Sequence, residues 1–238
     1  MSGGGPDAGQ PAVNVLTAGA EDIDAVSQVI AEAFHDLPQS QWLISDPVAR
    51  REILPGYFRL YVEYALAAGV VYTTSERDAA ALWIRVGQGA AAEPADYEPR
   101  LAAATGPWLG RFKAFDAVLD EHHPAGVHHH YLAILAVLPD RQGRGIGTAL
   151  LRAHHRVLDR EVHASAYLEA ASPHARRTYQ RHGYVLRSGG SFQLPDGGPS
   201  MWPMWRESLP SRDNKRPSQK AAPPESGDLE TSGERSAQ

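Results

Sequence analysis

The chain contains no cysteine. Disulfides, thiolate zinc sites and a cysteine acyl-enzyme are therefore excluded, and the composition fits a reducing compartment. A strong excess of either charge is also lacking. With 23 Lys and Arg against 28 Asp and Glu, the formal net charge is −5, which gives no electrostatic case for a nucleic-acid partner. No apolar run is long enough to cross a bilayer, and Met1-Ser-Gly-Gly-Gly-Pro6 has neither the basic start nor the apolar stretch of a signal peptide. The expectation is a soluble, cytoplasmic protein with no membrane or nucleic-acid partner. Large apolar residues are scarce at both ends. Residues 1–11 are rich in Gly and Pro, and residues 208–238 are rich in Ser, Pro, Lys and Glu, with Leu229 the one large apolar residue after Pro210. Neither end can bury enough surface to offset the entropy of ordering it. Both are expected to be disordered, leaving residues 12–207 as one domain with ample apolar content for a single core.

What is present is a glycine-rich loop in a telling place. Leu132–Leu138 is an apolar strand pattern, broken by Pro139, and Gly145 opens an amphipathic helix pattern. Between them Gly143, Gly145 and Gly147 alternate with Arg144 and Ile146, behind Arg141 and Gln142. Glycines allow the backbone to turn several N–H groups toward one point. Those groups meet the positive end of the following helix, which makes a site suited to phosphate. Arg141 and Arg144 can add charge to it. The loop lacks the lysine of a GxxxxGK[ST] phosphate loop and the spacing of a dinucleotide-binding G-x-G-x-x-G.

Around it the pattern alternates helix and strand. Val13–Leu16 suits a first strand. Asp22–Phe34 has apolar residues at helical spacing through Ile23, Val26, Ile30 and Phe34, and Ala49–Ala68 is a second helix in which Pro55 is expected to disturb the first turn. Val70–Thr74 and Ala79–Val86 read as a hairpin turning at Arg77-Asp78. Tyr97–Ala104 and Leu109–Leu119 are helical. After the glycine loop come the strand Ala166–Ala171, a short helix Pro173–His182 stopped by Gly183, a strand Tyr184–Leu186 and a final pair of strands. Such interleaving implies an α/β fold of the α+β kind, a mixed sheet flanked by helices.

Arg141-Gln142-Gly-Arg-Gly145-Ile-Gly147 resembles the Q/R-x-x-G-x-G/A signature of the GCN5-related N-acetyltransferase (GNAT) family, and Tyr179-Gln-Arg-His-Gly-Tyr184 matches that family's Y-x-x-x-G-[FY] element. Ala-Leu-Trp83, Tyr-Leu-Glu-Ala170 and Met-Trp-Pro-Met-Trp205 resemble its puromycin N-acetyltransferase-like branch. The resemblance implies a GNAT-like fold with a mostly antiparallel central sheet, and acetyl-CoA as co-substrate. It implies that Arg141 to Thr148 (Arg141, Gln142, Gly143, Arg144, Gly145, Ile146, Gly147, Thr148) hold the pyrophosphate. The backbone of Ala136, Val137 and Leu138 would pair with the pantetheine arm, with Ser172 and Ala175 nearby. Ser172 stands where the family usually has Asn. Tyr179 would be the general acid, and the acceptor a small-molecule amine of antibiotic or nucleoside-like type.

The residues themselves bear on those roles. A phenol is protonated at neutral pH and can donate to a leaving thiolate, although Tyr167 and Tyr184 have the same chemistry as Tyr179. Glu169 sits in an otherwise apolar strand, where burial would raise its pKa toward that of a useful base; a solvated or salt-bridged carboxylate fits equally. His128 and His130 share a strand face and offer an alternative base acting through water. As zinc ligands they supply at most two of the three or four required, so no metal is expected. His154 and His155 read as a solvated or half-buried helix face. Candidate acceptor contacts are Phe34–Trp42, Tyr57, Phe58, Tyr61, Tyr64 and Ser191–Trp205, with Asp36, Asp46 or Glu63 attracting a cationic amine. The rival functions are acetylation of a protein or peptide amine, a non-catalytic acyl-CoA-binding regulator and a histidine-rich metal binder. Either a monomer or a homodimer is compatible. Because residues 208–238 cannot build a core, a chain ending at Ser208 is expected to fold and turn over at the full rate. Steady-state kinetics beside the whole chain check this, and a folded truncation that lost most activity would place the tail in the site.

Overall fold

The computed structural model describes residues 13–87, 94–161 and 164–207. The two terminal segments expected to be disordered lie outside the described residues. In chain order the elements are β1 (Val15–Thr17), α1 (Ile23–Phe34), α2 (Pro38–Leu43), α3 (Pro47–Ala68), β2 (Gly69–Thr74), β3 (Ala79–Val86), α4 (Tyr97–Thr105), α5 (Leu109–His122), β4 (His129–Val137), α6 (Ile146–Leu158), β5 (Ala166–Ala170), α7 (Pro173–Arg181), β6 (Val185–Leu186), β7 (Phe192–Gln193) and β8 (Ser200–Arg206). The strands lie side by side in the order β1-β2-β3-β4-β5-β8-β6, with β7 also on β8. Every pairing is antiparallel except β4 with β5. The expected mixed, mostly antiparallel sheet flanked by helices is the fold.

Two departures from the sequence pattern have clear causes. α3 runs unbroken through Pro55. Proline removes the donor to the carbonyl of Arg51, and Arg51 is exposed, so water can take that donor's place. Buried Leu54, Tyr57 and Phe58 then hold the helix in line from the core side. The short helix α2 lies where the sequence pattern assigned no element, and Pro38 at its first position starts it.

The sheet separates two cores. On one face α1, α3, α4 and α5 bring Ile30, Leu54, Tyr57, Leu101 and Phe112 against Ala80, Leu82 and Ile84 of β3. On the other, α6 and α7 bring Leu150, Leu151, Leu158 and Tyr179 against Ala81, Trp83, Leu132 and Leu168. The register between β3 and β4 passes from Leu82↔Ile134 to Trp83↔Leu132, so Ala133 is an extra residue opposite no partner. This bulge inverts the alternation along β4. Tyr131 and Ile134 both join the first core, whereas Leu132, Leu135 and Val137 face α6. The parallel pairing of β4 with β5 covers His130↔Ala166 and Tyr131↔Tyr167 and stops just short of that bulge. Beyond it the two strands go separate ways. Leu138 N donates to Asp78 O across on the β3 side (3.0 Å).

His154 and His155 are buried, not solvated. His154 stacks on Trp83 (4.0 Å between centroids) and meets His130, Nε2 to Nδ1, at 2.8 Å. His155 Nε2 meets the Tyr184 hydroxyl at 3.1 Å. Burial lowers their pKa values to about 3 and about 4, and that of His123 to about 4. The unfolded chain takes up protons on these imidazoles near pH 6.5 while the folded chain does not, so they withdraw stability as pH falls below that value. Glu169, whose pKa is raised to about 7, acts in the opposite sense but is one group against three. Tm is therefore expected to fall steadily between pH 7 and pH 5, before most carboxylates titrate. Calorimetric scans in that window check this, and a flat Tm would show that the imidazoles are protonated in the folded protein.

Candidate active site

The loop between β4 and α6 starts with a turn over Pro139–Arg141. Gly143 (φ 76°) and Gly145 (φ 78°) both lie in the left-handed region, which a side chain strains, and Gly145 caps α6. A Cβ built on either would meet no atom within 4 Å, so the space beside them is open. The first N–H groups of α6, at Ile146, Gly147 and Thr148, have no partner within the helix and stand at its positive end. Gly147 has ordinary φ; its role is packing, since a Cβ there would touch Val137 and Leu135 at 3.7 and 3.8 Å. The loop is tied to itself by Gln142 Nε2 to Val137 O (3.1 Å) and Arg144 Nη2 to Asp140 O (3.0 Å), and Arg141 lies 3.5 Å from the Asp140 carboxylate. An open, cationic concavity at a helix N-terminus fits a diphosphate.

The parted ends of β4 and β5 lead away from this loop. Leu138 N–H points toward β3, which turns the backbone of Val137 the other way, toward the opening, where its C=O accepts from Gln142. At the far side Ser172 caps α7, its Oγ accepting from Ala175 N at 3.1 Å. The serine that replaces the expected Asn is thus a helix cap.

Glu169 and Tyr179 lie on opposite faces of β5. The Glu169 carboxyl is buried. Tyr131 donates to its Oε2 at 2.8 Å, and Oε1 has no partner. Burial raises its pKa to about 7, against the pull of the Tyr167 and Tyr131 hydroxyls. Tyr179 is 8% exposed, and burial raises its pKa further above the ordinary phenol value. Among the described residues its hydroxyl makes no hydrogen bond. Tyr167 donates to His122 O (3.3 Å) and Tyr184 meets His155. Of the three phenols of this region, Tyr179 alone has a hydroxyl with no hydrogen-bond partner among the described residues.

The histidine triplet divides between the faces. His130 turns to the α6 side, between His154 and Glu161 Oε2 (3.1 Å), away from Glu169. His129 turns to the Glu169 side and meets His123, Nε2 to Nε2, at 3.0 Å.

On the Glu169 side lies a cavity of about 580 Å³. Tyr61 and Tyr64 of α3 line it as expected. Tyr57 sits beneath, donating to the Tyr61 hydroxyl (3.3 Å), and Phe58 is core. Asp36, Asp46 and Glu63 are engaged elsewhere. Asp36 pairs with His35, Asp46 caps α3 through Val48 N, and Glu63 pairs with Arg59 and Arg100. Trp42 donates to Pro195 O (3.1 Å) and carries Arg111 over its ring, while Trp202 packs against the α6-side core. Trp205 shares the Glu169 face, 5.4 Å from His129 between ring centroids. The residues that sequence reasoning missed are Tyr97 of α4, Asp116 and Asp120 of α5, His123 and Tyr131. Their signal was present but faint: two acids four apart on a helix inserted between strands that prove to be neighbours.

Residues 113–186 match the family model described as an acetyltransferase (GNAT) domain. The fold is similar to that of a Corynebacterium glutamicum protein described as histone acetyltransferase HPA2 and related acetyltransferase. That similarity is at 27% identity, over 84% of this chain and 98% of that one, with a TM-score of 0.62. It is also similar to arylalkylamine N-acetyltransferase 2 from Aedes aegypti, at 13% identity over 83% and 99% of the two chains, with a TM-score of 0.55. Residues 113–186 thus resemble a GNAT acetyltransferase domain, and these likenesses support an acyltransferase. Among the described residues no helix is long and apolar enough to cross a membrane.

Gly145→Glu is expected to abolish measurable acetyl-CoA binding by calorimetry, since it places a carboxylate in the cationic concavity. Gly145→Ala should lose far less, reflecting only strain of about 1–2 kcal/mol at positive φ. Unchanged affinity in a folded Gly145→Glu protein would remove the loop from the binding site.

Proposed function

We propose that the protein transfers the acetyl group of acetyl-CoA to the amine of a small molecule by direct attack in a ternary complex. The observation that carries this reading is the opening between β4 and β5, which begins at the Ala133 bulge and ends at the glycine loop. A thioester held there would lie between a buried carboxylate on one face and a protonated phenol on the other. The loop residues Arg141–Thr148 hold the diphosphate, the backbone of Ala136 to Leu138 lines the arm, and Ser172 and Ala175 border it at the α7 end. Of these backbone groups Val137 faces the opening, whereas the Leu138 amide is engaged by Asp78.

Acetyl-CoA supplies an activated acetyl group; the chain supplies proximity and proton transfer. Glu169, with a pKa of about 7, takes the proton from the incoming ammonium and leaves it nucleophilic. Tyr179 keeps its proton until a thiolate needs it. The tyrosine-lined cavity of about 580 Å³ has the size and lining of a small-molecule site, which supports a small-molecule acceptor. The likeness of the Tyr167 to Ala170 and Met201 to Trp205 strands to the puromycin-type branch supports an antibiotic or nucleoside-like amine. The enzyme would act in the cytoplasm, as a monomer or homodimer. Free-thiol release from acetyl-CoA across a panel including aminonucleosides tests the reading. Tight acetyl-CoA binding without amine-dependent release would make the protein a non-catalytic acyl-CoA-binding regulator.

Tyr179→Phe is expected to lower kcat on the order of a hundredfold to ten-thousandfold, with little effect on acetyl-CoA affinity. A wild-type single-turnover rate in that variant would make Tyr179 a packing residue. For the wild type, kcat/KM should rise with pH through about 7 as Glu169 ionises. Glu169→Gln should lose that limb along with most of the rate, and a limb that persisted in the variant would assign it to another group.

A further inference from the structure

The cavity and the proposed base are joined by one side chain. Among the described residues Tyr131 lines the cavity and Glu169 does not. The Tyr131 hydroxyl donates to Glu169 Oε2 at 2.8 Å, and Oε1 is buried without a partner. A group in the cavity therefore meets Tyr131 before it can meet the carboxylate. The Tyr131 ring is held in place by its neighbours. His123 of α5 packs against it edge to face, with 4.8 Å between ring centroids, and Tyr167 lies beside it at 5.8 Å. The other polar groups around the pair are engaged. Tyr167 donates to His122 O at 3.3 Å, and Arg187 lies over its ring and donates to the same carbonyl at 3.0 Å. His123 meets His129, Nε2 to Nε2, and burial lowers its pKa to about 4, so it is a neutral and weak base. Tyr57, on the α3 side, donates to the Tyr61 hydroxyl.

A hydroxyl has one proton and two lone pairs. Tyr131 gives its proton to Glu169, so what remains for a ligand is an acceptor, which suits an N–H of an ammonium. Burial and the nearby Glu169 charge hold the Tyr131 phenol well above its ordinary pKa. A free phenolate is therefore not a stage on the way, and any proton passing through this oxygen must enter as another leaves. We propose that Tyr131 is a catalytic residue that relays the acceptor's proton from the cavity to Glu169. One N–H bond of the ammonium breaks and its proton bonds to the Tyr131 oxygen. In the same step the Tyr131 O–H bond breaks and that proton goes to Glu169 Oε2. The nitrogen keeps the electron pair and attacks the thioester carbonyl of acetyl-CoA. Tyr131 is neutral before and after, and Glu169 ends as the neutral acid. Its proton returns to water through the same hydroxyl once the product has left. This rests on the acetyl-transfer reading and adds a residue to that same site.

Tyr131→Phe keeps the ring and removes the relaying oxygen. With phenethylamine or n-pentylamine as acceptor and saturating acetyl-CoA, single-turnover thiol release should fall on the order of a hundredfold or more at every pH. Acetyl-CoA affinity by calorimetry should not change. A hydroxyl that merely steadied Glu169 predicts a different result. Its loss would raise the Glu169 pKa, move the rising limb to higher pH and leave the plateau above it intact. A wild-type plateau in folded Tyr131→Phe would therefore overturn the relay. Members of a relay act as a unit, so Tyr131→Phe combined with Glu169→Gln should be no slower than Glu169→Gln alone, and losses that multiplied would overturn it. Should Tyr131→Phe not fold, Tyr179→Phe serves instead, since its leaving thiolate draws no proton from that phenol. Its rate against the heavy-water fraction should bow below a straight line, because two protons move together, and a straight line would overturn the relay. Wild-type protein that released no thiol with any amine would overturn acetyl transfer itself and the relay with it. That outcome is distinct from release that persists at full rate without the Tyr131 hydroxyl.

Discussion

One residue in excess, Ala133, organises the site. A bulge bends the strand that contains it and inverts the side-chain alternation on either side. In β4 the bend falls where parallel pairing with β5 ends, and a sheet that is continuous elsewhere opens along one seam. The inversion sends Tyr131 toward Glu169 and Val137 toward α6. Without it, Tyr131 and Val137 would share a face.

Around that seam the chain places titratable groups by burial more than by charge pairing. Glu169 rises to about 7 because its carboxyl is buried, and the Tyr167 and Tyr131 hydroxyls and Arg187, which pull the other way, do not reverse the shift. Burial holds Tyr179 in its protonated form. The imidazoles of His123, His154 and His155 are kept neutral by the same desolvation. A carboxylate made more basic and a phenol kept protonated form a pair suited to moving protons in opposite directions at one pH.

The proposed acceptor side is built differently. Tyr61 and Tyr64 come from α3, Tyr97 from α4, the two aspartates from α5 and Tyr131 from β4. None of these segments adjoins the glycine loop in sequence. The proposed nucleotide side, by contrast, is a single run from Leu132 to Leu158 in which strand, turn and helix follow directly. This difference explains why one half of the site can be read locally while the other needs the folded chain.

The sequence by itself determined the element order apart from α2, the glycine loop at a helix N-terminus and the short helix closed by Gly183. Each of these depends on periodicity, on φ freedom or on a cap within a few residues. It also marked Glu169 as a carboxylate in an apolar strand and Tyr179 as one phenol among three. Only the tertiary structure decided that Pro55 leaves α3 intact, that His154 and His155 are core residues, and that His130 belongs to α6 instead of to the site. It alone placed Asp116 and Asp120, and not Asp36, Asp46 or Glu63, in the cavity wall. Composition cannot show which charged residues are already paired, and a one-residue bulge has no signature in hydrophobic alternation. Which face a side chain takes, and what water it loses there, is settled only when distant strands and helices meet.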